Sequence, residues 1–288
     1  MKPRDASLPP AGVVAASVVG SRRGIVGRAA DWVVEEVPIA LVFNGISHAV
    51  MLATPTHLED FALGFGLSEG LLLNPSELFG VDIVQVEGGI EVQMEVAAAC
   101  EMRLKSRRRT LAGRTGCGLC GAESLTQVHH PLPTAPVVSV RPSSIARAQR
   151  ALGEQQAIQQ WTGAAHAAAW CGLDGHVRLA REDVGRHNAL DKLIGAMRRA
   201  EIDASHGFIC VTSRASFEMV QKSAMAGAGL LAAVSAPTSM AVATAQACNF
   251  ILAGFVREED LVAYTFPERL GLDTSDTHSS STGTDDGR

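Results

Sequence analysis

Phe208-Ile209-Cys210-Val211-Thr212-Ser213-Arg214-Ala215-Ser216 is the stretch of sequence that decides the fold. Its first five residues form a short apolar run, which predicts a buried strand, and hydroxyl groups then open a helix at residues 216–227. The same unit recurs with a strand at Leu230–Ser235 and a helix at 238–248, and a third strand follows at Phe250–Val256. Because strands alternate with helices, the pattern indicates a largely parallel sheet covered by helices.

The residues around this unit carry further helix and turn signals. Ser143 is a good N-cap for a helix, and Asp174-Gly175 is a turn signal between two apolar runs. The predicted elements are a helix at 144–161, hairpin strands at Ala164–Trp170 and His176–Ala180, a helix at 184–199 and a last strand at Leu261–Thr265.

The first half of the chain has the pattern of β-hairpins around one helix. Asn44-Gly45 is a strong hairpin turn because both residues accept φ > 0. Thr56 with Glu59 three residues later forms a capping box for a helix that Asn74-Pro75 ends. The predicted strands are Trp32–Val34, Pro38–Phe43, Ser47–Ala53, and Val81–Val86 paired with Ile90–Val96 across Gly88-Gly89.

These patterns predict an α/β protein, α+β overall, with a mixed sheet, helices and a smaller β-rich N-terminal domain. A basic run and the pair Cys117 and Cys120 separate the two halves. The expected divisions are a disordered N-terminus at 1–28, a hairpin and helix domain at 29–100, a basic run and mobile loop at 101–136, an α/β domain at 137–272 and a disordered tail at 273–288.

The composition narrows the class of protein. The 288 residues are 47% hydrophobic, which allows a sizeable core, and the net charge of -5 argues against non-specific nucleic-acid binding. No apolar run has the length of a membrane span, and the start of the sequence, Met1–Pro10, lacks the long apolar region of a signal peptide. Six cysteines are too few for a disulfide scaffold, so the expected compartment is the reducing cytoplasm.

Cys117 and Cys120 form the densest chemical motif, Thr115-Gly116-Cys117-Gly118-Leu119-Cys120-Gly121. Glycines at 116, 118 and 121 predict a mobile, exposed loop. A basic run lies upstream, and positive charge favours the thiolate, the reactive form of cysteine. The pattern indicates sulfur chemistry with an anionic partner. The basic residues are Arg103, Lys105, Arg107, Arg108, Arg109 and Arg114.

Three simpler interpretations of this segment remain open. A C-x-x-C pair is half of a zinc site, which His129 and His130 could complete, although no second close pair of cysteines exists. A thioredoxin-type redox pair would follow an apolar strand, but a basic run precedes this one. The basic run itself could be only a solvated face. We expect no bound metal.

Polar residues follow each strand of the repeated unit, where an open α/β sheet binds its ligands. Ser213, Arg214 and Ser216 follow the first strand, Thr238 and Ser239 follow the second, and Arg257 ends the third. Two helix N-termini and two arginines predict a phosphate site, although ordinary N-capping explains each hydroxyl taken alone. A second polar cluster, Glu182–Lys192, contains His187 near the start of a helix.

Several of these motifs together resemble the formate dehydrogenase accessory sulfurtransferase family, FdhD. The resemblance extends in order from about Trp32 to Leu270. The motifs that carry it are Cys117-Gly118-Leu119-Cys120-Gly121, Glu182-Asp183-Val184-Gly185-Arg186-His187-Asn188-Ala189, Ser213-Arg214-Ala215-Ser216-Phe217-Glu218-Met219, Ser235-Ala236-Pro237-Thr238-Ser239 and Gly254-Phe255-Val256-Arg257.

The resemblance implies a sulfur carrier that receives a persulfide from a cysteine desulfurase. It implies transfer of that sulfur to the molybdenum (or tungsten) bis-pterin guanine dinucleotide cofactor of apo-formate dehydrogenase, which GDP mimics in part. It also implies a homodimer, a cytidine-deaminase-like second domain, and Cys117 as the persulfide residue with Cys120 beside it. The implied cofactor-binding residues are Phe255, Val256, Arg257, Glu258, Glu259 and Asp260, beside Ser213, Arg214, Ser216 and His187.

Two departures and two rival functions accompany this reading. The family's usual Thr-Gly-Gly-x-His reads Thr162-Gly163-Ala164-Ala165-His166, and Ser213-Arg214 lacks an intervening glycine. One rival is a chaperone that binds the cofactor without transferring sulfur. The other is a zinc deaminase, for which His57-Leu58-Glu59 supplies H-x-E but Cys117 lacks the preceding proline.

Overall fold

The structure is a computed structural model and describes residues 8–109 and 132–272 of the chain. Within these ranges the strands form sheets of two, four and six strands. The elements of the first half are β1 Val13–Arg22, β2 Ile25–Val34, β3 Val37–Phe43, β4 Ile46–Ala53, α1 Leu58–Ser68, β5 Leu78–Val86, β6 Gly89–Val96 and α2 Ala98–Arg109. Those of the second half are α3 Pro142–Glu154, α4 Ala157–Thr162, β7 His166–Gly172, β8 Val177–Asp183, α5 Arg186–Arg199, β9 Gly207–Val211, α6 Phe217–Met225, β10 Leu230–Ala233, α7 Ser239–Ala247, β11 Ile251–Arg257 and β12 Asp260–Ala263.

Strands β1 and β2 form an antiparallel hairpin near the N-terminus. The prediction of disorder over residues 1–28 is therefore wrong for residues 13–22 and 25–28. The base of the hairpin packs on α4, where Trp32 meets Trp161 edge to face with ring centroids 5.3 Å apart. Beyond that base most of the hairpin is exposed. A strand that is exposed on both faces does not need the one-sided apolar alternation that indicates a half-buried strand, and these residues lack it.

The four-stranded sheet has the order β4-β3-β6-β5. β3 pairs antiparallel with β4 and parallel with β6, and β5 pairs antiparallel with β6. Asn44 and Gly45 have φ values of 45° and 76°, which confirms the predicted hairpin turn. One face of this sheet packs on α1, as Leu41 and Val92 share a core cluster with Phe61.

Helix α1 begins and ends differently from the prediction. Its N-cap is His57, which has a left-handed backbone with φ of 53°, and no side chain caps the helix. Glu59 pairs with Arg199 on α5 instead of reaching back to the helix start. The capping box at Thr56 is therefore wrong, because a tertiary partner takes the carboxylate that would complete it. The helix also ends at Ser68, well before Asn74.

The beginning of the basic run is helical and not part of a loop, since residues 101–109 belong to α2. The Nη2 atom of Arg103 lies 2.5 Å from Glu77 Oε2. The Nε atom of the same side chain donates a hydrogen bond to the carbonyl of Leu71 at 2.9 Å. Lys105 pairs with Glu101 one turn earlier. These two basic side chains therefore form contacts within the first half of the protein.

The predicted helix at 144–161 is two helices, α3 and α4, and Ser143 lies inside α3 rather than at its cap. The break occurs because Glu182 on β8 accepts hydrogen bonds from the backbone N–H groups of Ile158 and Gln159, both at 2.9 Å. A carboxylate from a neighbouring strand thus caps a new helix start. Burial raises the pKa of Glu182 although these N–H donors oppose the shift.

The six-stranded sheet has the order β12-β11-β10-β9-β7-β8. β9, β10 and β11 are parallel, whereas β7, β8 and β12 pair antiparallel with their neighbours. Helices α5, α6 and α7 cover one face, and α3 covers the other. The predicted alternation of strands and helices, the hairpin at Asp174-Gly175 and the mixed sheet are confirmed. The cytidine-deaminase likeness stays a prediction. No helix of this described fold is long and apolar enough to cross a membrane.

Helices α1 and α5 connect the two halves and pack so closely that their backbones are in contact. A Cβ atom at Gly64 would lie 1.7 Å from the carbonyl oxygen of Asp191, and one at Gly195 would lie 1.8 Å from that of Asp60. Neither position can hold a side chain unless the helices separate. The glycines that weaken α1 as an isolated helix are therefore the residues that allow it to pack.

Buried ion pairs surround this contact. Lys192 Nζ is 2.5 Å from Asp183 Oδ2, both side chains are fully buried, and Lys192 also donates to the carbonyl of Thr54. Lys222 on α6 contacts Asp191 at 3.0 Å and Ser68 at 3.0 Å. Burial alone would lower the pKa of Lys222, but the charges of Asp191 and Glu69 outweigh it and raise the pKa above its ordinary value.

Replacing either contact glycine with alanine should destabilise the protein. Alanine normally favours a helix over glycine by about 1 kcal/mol, but forcing a methyl group into a packed contact costs roughly 1–3 kcal/mol or more. We expect Gly64→Ala and Gly195→Ala to lower the free energy of unfolding measured in urea.

Gly153→Ala is the matched control, because a Cβ atom at Gly153 of α3 would meet nothing within 4 Å. This variant should be as stable as the unmodified protein or more stable by up to about 1 kcal/mol. Equal stability of all three variants would contradict the close packing of α1 on α5.

Candidate functional site

Three loops lie side by side at the carboxyl edge of the parallel strands. Thr238 N donates to the carbonyl of Ala215 at 3.1 Å, which joins the loop after β9 to the loop after β10. Phe255 N donates to the carbonyl of Ser235 at 3.3 Å, which joins the second loop to the end of β11. The predicted edge therefore exists as one continuous surface, hereafter called the strand-end edge, formed by residues 212–216, 234–239 and 254–257.

The hydroxyl groups of this edge differ in what they bond. Thr238 is an ordinary N-cap whose side chain accepts from the N–H of Ala241 at 3.3 Å. Ser213 is buried and donates to the carbonyl of Arg214 at 3.0 Å, and Ser239 is exposed. Ser216 holds the N-cap position of α6 but makes no capping bond, and its buried Oγ has no partner among the described residues. Only Ser216 therefore keeps a buried hydroxyl free for a ligand.

The segment after Gly254 has a strained backbone. Phe255 and Glu258 have φ values of 52° and 51°, in the left-handed region that bulky residues avoid. The ring of Phe255 is 41% exposed, whereas Val256 beside it is buried. Glu258 is the first residue of the two-residue turn between β11 and β12, a position at which tight hairpin turns use φ > 0. Phe255 lies where the register of β11 with β12 shifts, between Gly254 and Arg257.

Two arginines of the predicted phosphate site reach solvent. Arg214 lies in the loop after β9, and Arg257 is the last residue of β11, opposite Asp260 in the backbone ladder with β12. Both side chains are exposed, as are Glu258 and Glu259. Arg214 and Arg257 follow strands separated by β10, so about two strand spacings, roughly 10 Å, lie between their strands. Their role in binding stays a prediction.

His187 lies on α5 at the start of the helix and faces α6. Its Nε2 atom is 2.6 Å from Glu218 Oε2, and both side chains are about one quarter exposed. The hydrogen bond from His187 lowers the pKa of Glu218, and the charges of His187, Lys222 and Arg186 add to the effect although burial opposes it. Glu218 is therefore a carboxylate at neutral pH, and its hydrogen-bond partner is His187.

The structure adds His166, Arg186 and Glu218 to this region, none of which the sequence prediction assigned. β7 runs antiparallel to β9, so His166 at the start of β7 lies beside the end of β9. Burial lowers the pKa of His166, and the nearby charges of Arg186 and His187 lower it further. Arg186 and Glu218 already stood within the motifs Glu182–Ala189 and Ser213–Met219. The β7–β8 hairpin, in which His166 pairs with Asp183, brings His166 towards Arg186, and the pairing of β7 with β9 brings it towards the loop that leads to Glu218.

The predicted catalytic cysteines, Cys117 and Cys120, lie outside the described residues, as do His129 and His130. Within the described part of the chain, no group of three or more His, Cys, Asp or Glu residues could hold a metal ion. The expectation that the protein binds no zinc stays a prediction, because the C-x-x-C pair lies in residues 110–131.

His57 and Glu59, the nominal H-x-E of the deaminase alternative, serve the junction between the two halves. Glu59 pairs with Arg199. Burial and the charge of Arg181 lower the pKa of His57, whereas the charge of Asp60 opposes them. Neither residue belongs to the strand-end edge, so the geometry gives no support to the deaminase reading.

Comparisons with known proteins identify the family of the chain. The FdhD/NarQ family model matches residues 34–271. A protein of Variovorax paradoxus named sulfur carrier protein FdhD is 60% identical over 243 residues, covering 83% of this chain and 87% of the relative. A protein of Bordetella petrii with the same name is 55% identical over 260 residues, covering 89% of this chain and 94% of the relative.

Among solved structures, the crystal structure of a proposed formate dehydrogenase accessory protein from Desulfotalea psychrophila has the same fold. The two chains superpose with a TM-score of 0.71 at 20% identity, covering 90% of this chain and 99% of the other. The identity to the named relatives and the extent of the family match leave one assignment: the chain belongs to the FdhD/NarQ family.

Proposed function

We propose that this protein is a sulfur carrier that serves formate dehydrogenase. It accepts sulfur from a cysteine desulfurase as a persulfide on Cys117, with Cys120 beside it, and transfers that sulfur to the molybdenum bis(guanine dinucleotide) cofactor. The name of its relatives, sulfur carrier protein FdhD, supports the sulfur-carrying role. The solved structure with the same fold is a proposed formate dehydrogenase accessory protein, which is consistent with service to that enzyme.

The burial of the other cysteines is the observation that carries this proposal. Cys100, Cys171, Cys210 and Cys248 are all buried. Burial raises the pKa of Cys210 and of Cys248, which keeps these thiols protonated and poorly nucleophilic. A carrier must present its sulfur to a donor and to an acceptor, so only the Cys117-x-x-Cys120 pair of the six cysteines remains for this role.

The strand-end edge supports binding of the cofactor. Two helices, α6 and α7, begin there, and helix N-termini present free N–H groups and partial positive charge to phosphate. Arg214 and Arg257 add exposed charges. The segment Phe255–Asp260 offers an exposed aromatic ring on a constrained backbone. In this proposal the cofactor is a substrate and is not permanently bound.

The proposed partners follow from the same role. They are a cysteine desulfurase, apo-formate dehydrogenase and a second copy of this chain, in the cytoplasm, with no nucleic acid and no membrane. The alternative function, a cofactor-binding chaperone that transfers no sulfur, needs the strand-end edge but not Cys117.

Incubation with a cysteine desulfurase and cysteine should place one extra sulfur on the peptide that contains Cys117. Peptide mapping by mass spectrometry checks this result. The modification should disappear in Cys117→Ala, and the position of the sulfur in Cys120→Ala shows whether Cys120 also carries it. A persulfide found only on Cys100, Cys171, Cys210 or Cys248 would contradict the proposal, because those thiols are buried.

Cys117→Ala separates the carrier from the chaperone. The carrier predicts that this variant fails to support formate dehydrogenase activity in cells that lack the unmodified protein, yet binds GDP as well as the unmodified protein does. Full dehydrogenase activity with Cys117→Ala would favour the chaperone.

Arg214→Ala and Arg257→Ala should each weaken GDP binding. Loss of a hydrogen bond to a charged group costs roughly 1.5–3 kcal/mol, which corresponds to about ten- to a hundred-fold in affinity. Titration calorimetry measures the change. Arg178→Ala is the matched control, since Arg178 is exposed, pairs with Asp174 and lies on β8, away from the strand-end edge. Unchanged GDP affinity in both folded variants would place the binding site elsewhere.

A further inference from the structure

Two exposed surfaces of the structure lie outside the strand-end edge. One is the outer half of the β1–β2 hairpin, residues 17–30, hereafter called the arm. The other is the face of the four-stranded sheet that points away from α1, hereafter called the outer face. We propose that the arm of one chain binds the outer face of a second copy, and that the two copies exchange arms in this way. The inference deepens the proposed function and rests on it for the existence of the second copy.

The arm exposes apolar side chains on a face that is covered only at its base. Val19 and Val26 are 67% and 70% exposed. Val19 lies directly opposite Arg28, and Val26 is two residues from Arg28 on the same strand, so the three side chains share one face. Further along β2 the same face holds Trp32, which packs on Trp161. A two-stranded hairpin without a packed face is only marginally stable in water, so the arm gains stability when this face is covered.

The outer face carries an apolar band that crosses the four strands of its sheet. Ala40 and Glu91 alternate with the core residues of β3 and β6, so they face away from α1. Ala40 lies opposite Val50 on β4 and Glu91 on β6, and Glu91 lies opposite Val84 on β5. Val50 and Val84 are 54% and 37% exposed, and an exposed apolar surface of this extent is typical of an interaction site. The apolar residues of this row and the next are Pro38, Ala40, Val50, Leu52, Val84 and Val86.

The charges of the two surfaces are opposite in sign. Residues 13–30 contain no acidic residue, and their charged residues are Arg22, Arg23 and Arg28. The strands of the four-stranded sheet contain no lysine or arginine, and their charged residues are Asp82, Glu91 and Glu95. Arg28 is exposed and Glu91 is half-buried, and neither forms an ion pair within residues 8–109 and 132–272. A basic apolar arm and an acidic apolar face on the same chain therefore complement each other in two copies.

The place of the arm in the chain allows the exchange to be reciprocal. β2 ends at Val34 and β3 begins at Val37, so the arm leaves the fold beside the sheet that carries the outer face. Within one chain the arm does not cover this face, since Val26 and Leu52 both stay exposed. A two-fold axis places each arm on the outer face of the other copy, and the assembly then closes at two copies.

Analytical ultracentrifugation of the full-length protein tests the exchange. The unmodified protein should be a dimer, and Arg28→Glu and Glu91→Lys should each raise its dissociation constant about tenfold or more, because each brings like charges together in the contact. Val26→Asp should have a similar effect, because it places a carboxylate in the apolar part of the contact. Arg150→Glu on α3 and Val137→Asp are the matched controls, since both residues are exposed and lie outside the two surfaces, and neither should change the dissociation constant.

A mixture of Arg28→Glu and Glu91→Lys should restore the dimer. In the mixed dimer one contact joins the two altered positions, which carry opposite charges, and the other contact joins the unmodified Arg28 and Glu91. Neither contact then holds like charges, so the dissociation constant of the mixture should return to that of the unmodified protein. Far-UV circular dichroism checks that each variant is folded before it is mixed.

The outcomes separate this inference from the proposed function. A dimer that Arg28→Glu, Glu91→Lys and Val26→Asp leave intact overturns the inference, because the copies then meet through other surfaces. Weaker dimers in both charge variants without restoration in their mixture overturn it too, because the two surfaces then do not face each other. A monomeric unmodified protein also overturns it, even if Arg28→Glu then loses binding to the cysteine desulfurase, which would give the arm a different partner. Restoration of the dimer in the mixture, with no persulfide on Cys117, leaves the exchange of arms standing and refutes the sulfur carrier.

Discussion

The backbone contact between α1 and α5 is the constraint on which the rest of the structure depends. Gly64 and Gly195 let the two helices meet where any side chain would collide with a carbonyl oxygen. α1 belongs to the core of the four-stranded sheet, and α5 covers one face of the six-stranded sheet. A single helix pair therefore fixes the two sheets relative to each other, and the start of α5 takes its place from that contact.

Buried charges reinforce the same junction. Lys192 and Asp183 join α5 to the end of β8 and to the loop after β4, and Lys222 joins α6 to α1 and α5. Each carboxylate also accepts hydrogen bonds from neighbouring groups, which is the condition under which buried ions are tolerated. These pairs fix the start of α5 relative to the start of α6. Arg186, His187 and Glu218 lie at those two helix starts, so the packing of the two halves also positions the polar groups of the strand-end edge.

Three arginines near the carboxyl ends of the parallel strands differ in exposure. Arg214 and Arg257 of the strand-end edge are exposed, whereas Arg186 at the start of α5 is partly buried and its Nε atom is shielded from solvent. In the proposed function the exposed pair contacts the phosphates of the cofactor. In the same proposal the sulfur is carried by Cys117, which lies between the two described ranges of the chain.

By itself the sequence determined the alternation of strands and helices and the hairpin turns, because each follows from local periodicity or turn chemistry. It also placed Arg214, Ser216 and Arg257 after parallel strands, since the carboxyl ends of such strands meet at one edge. Only the tertiary structure decided the rest. Glu59 pairs with Arg199 instead of capping α1, and Glu182 splits one expected helix into two. The β1–β2 hairpin forms although its residues lack a one-sided apolar pattern. The partners of Glu59 and Glu182 are distant in sequence, and the base of the β1–β2 hairpin packs on Trp161 of α4, so no local pattern records these interactions.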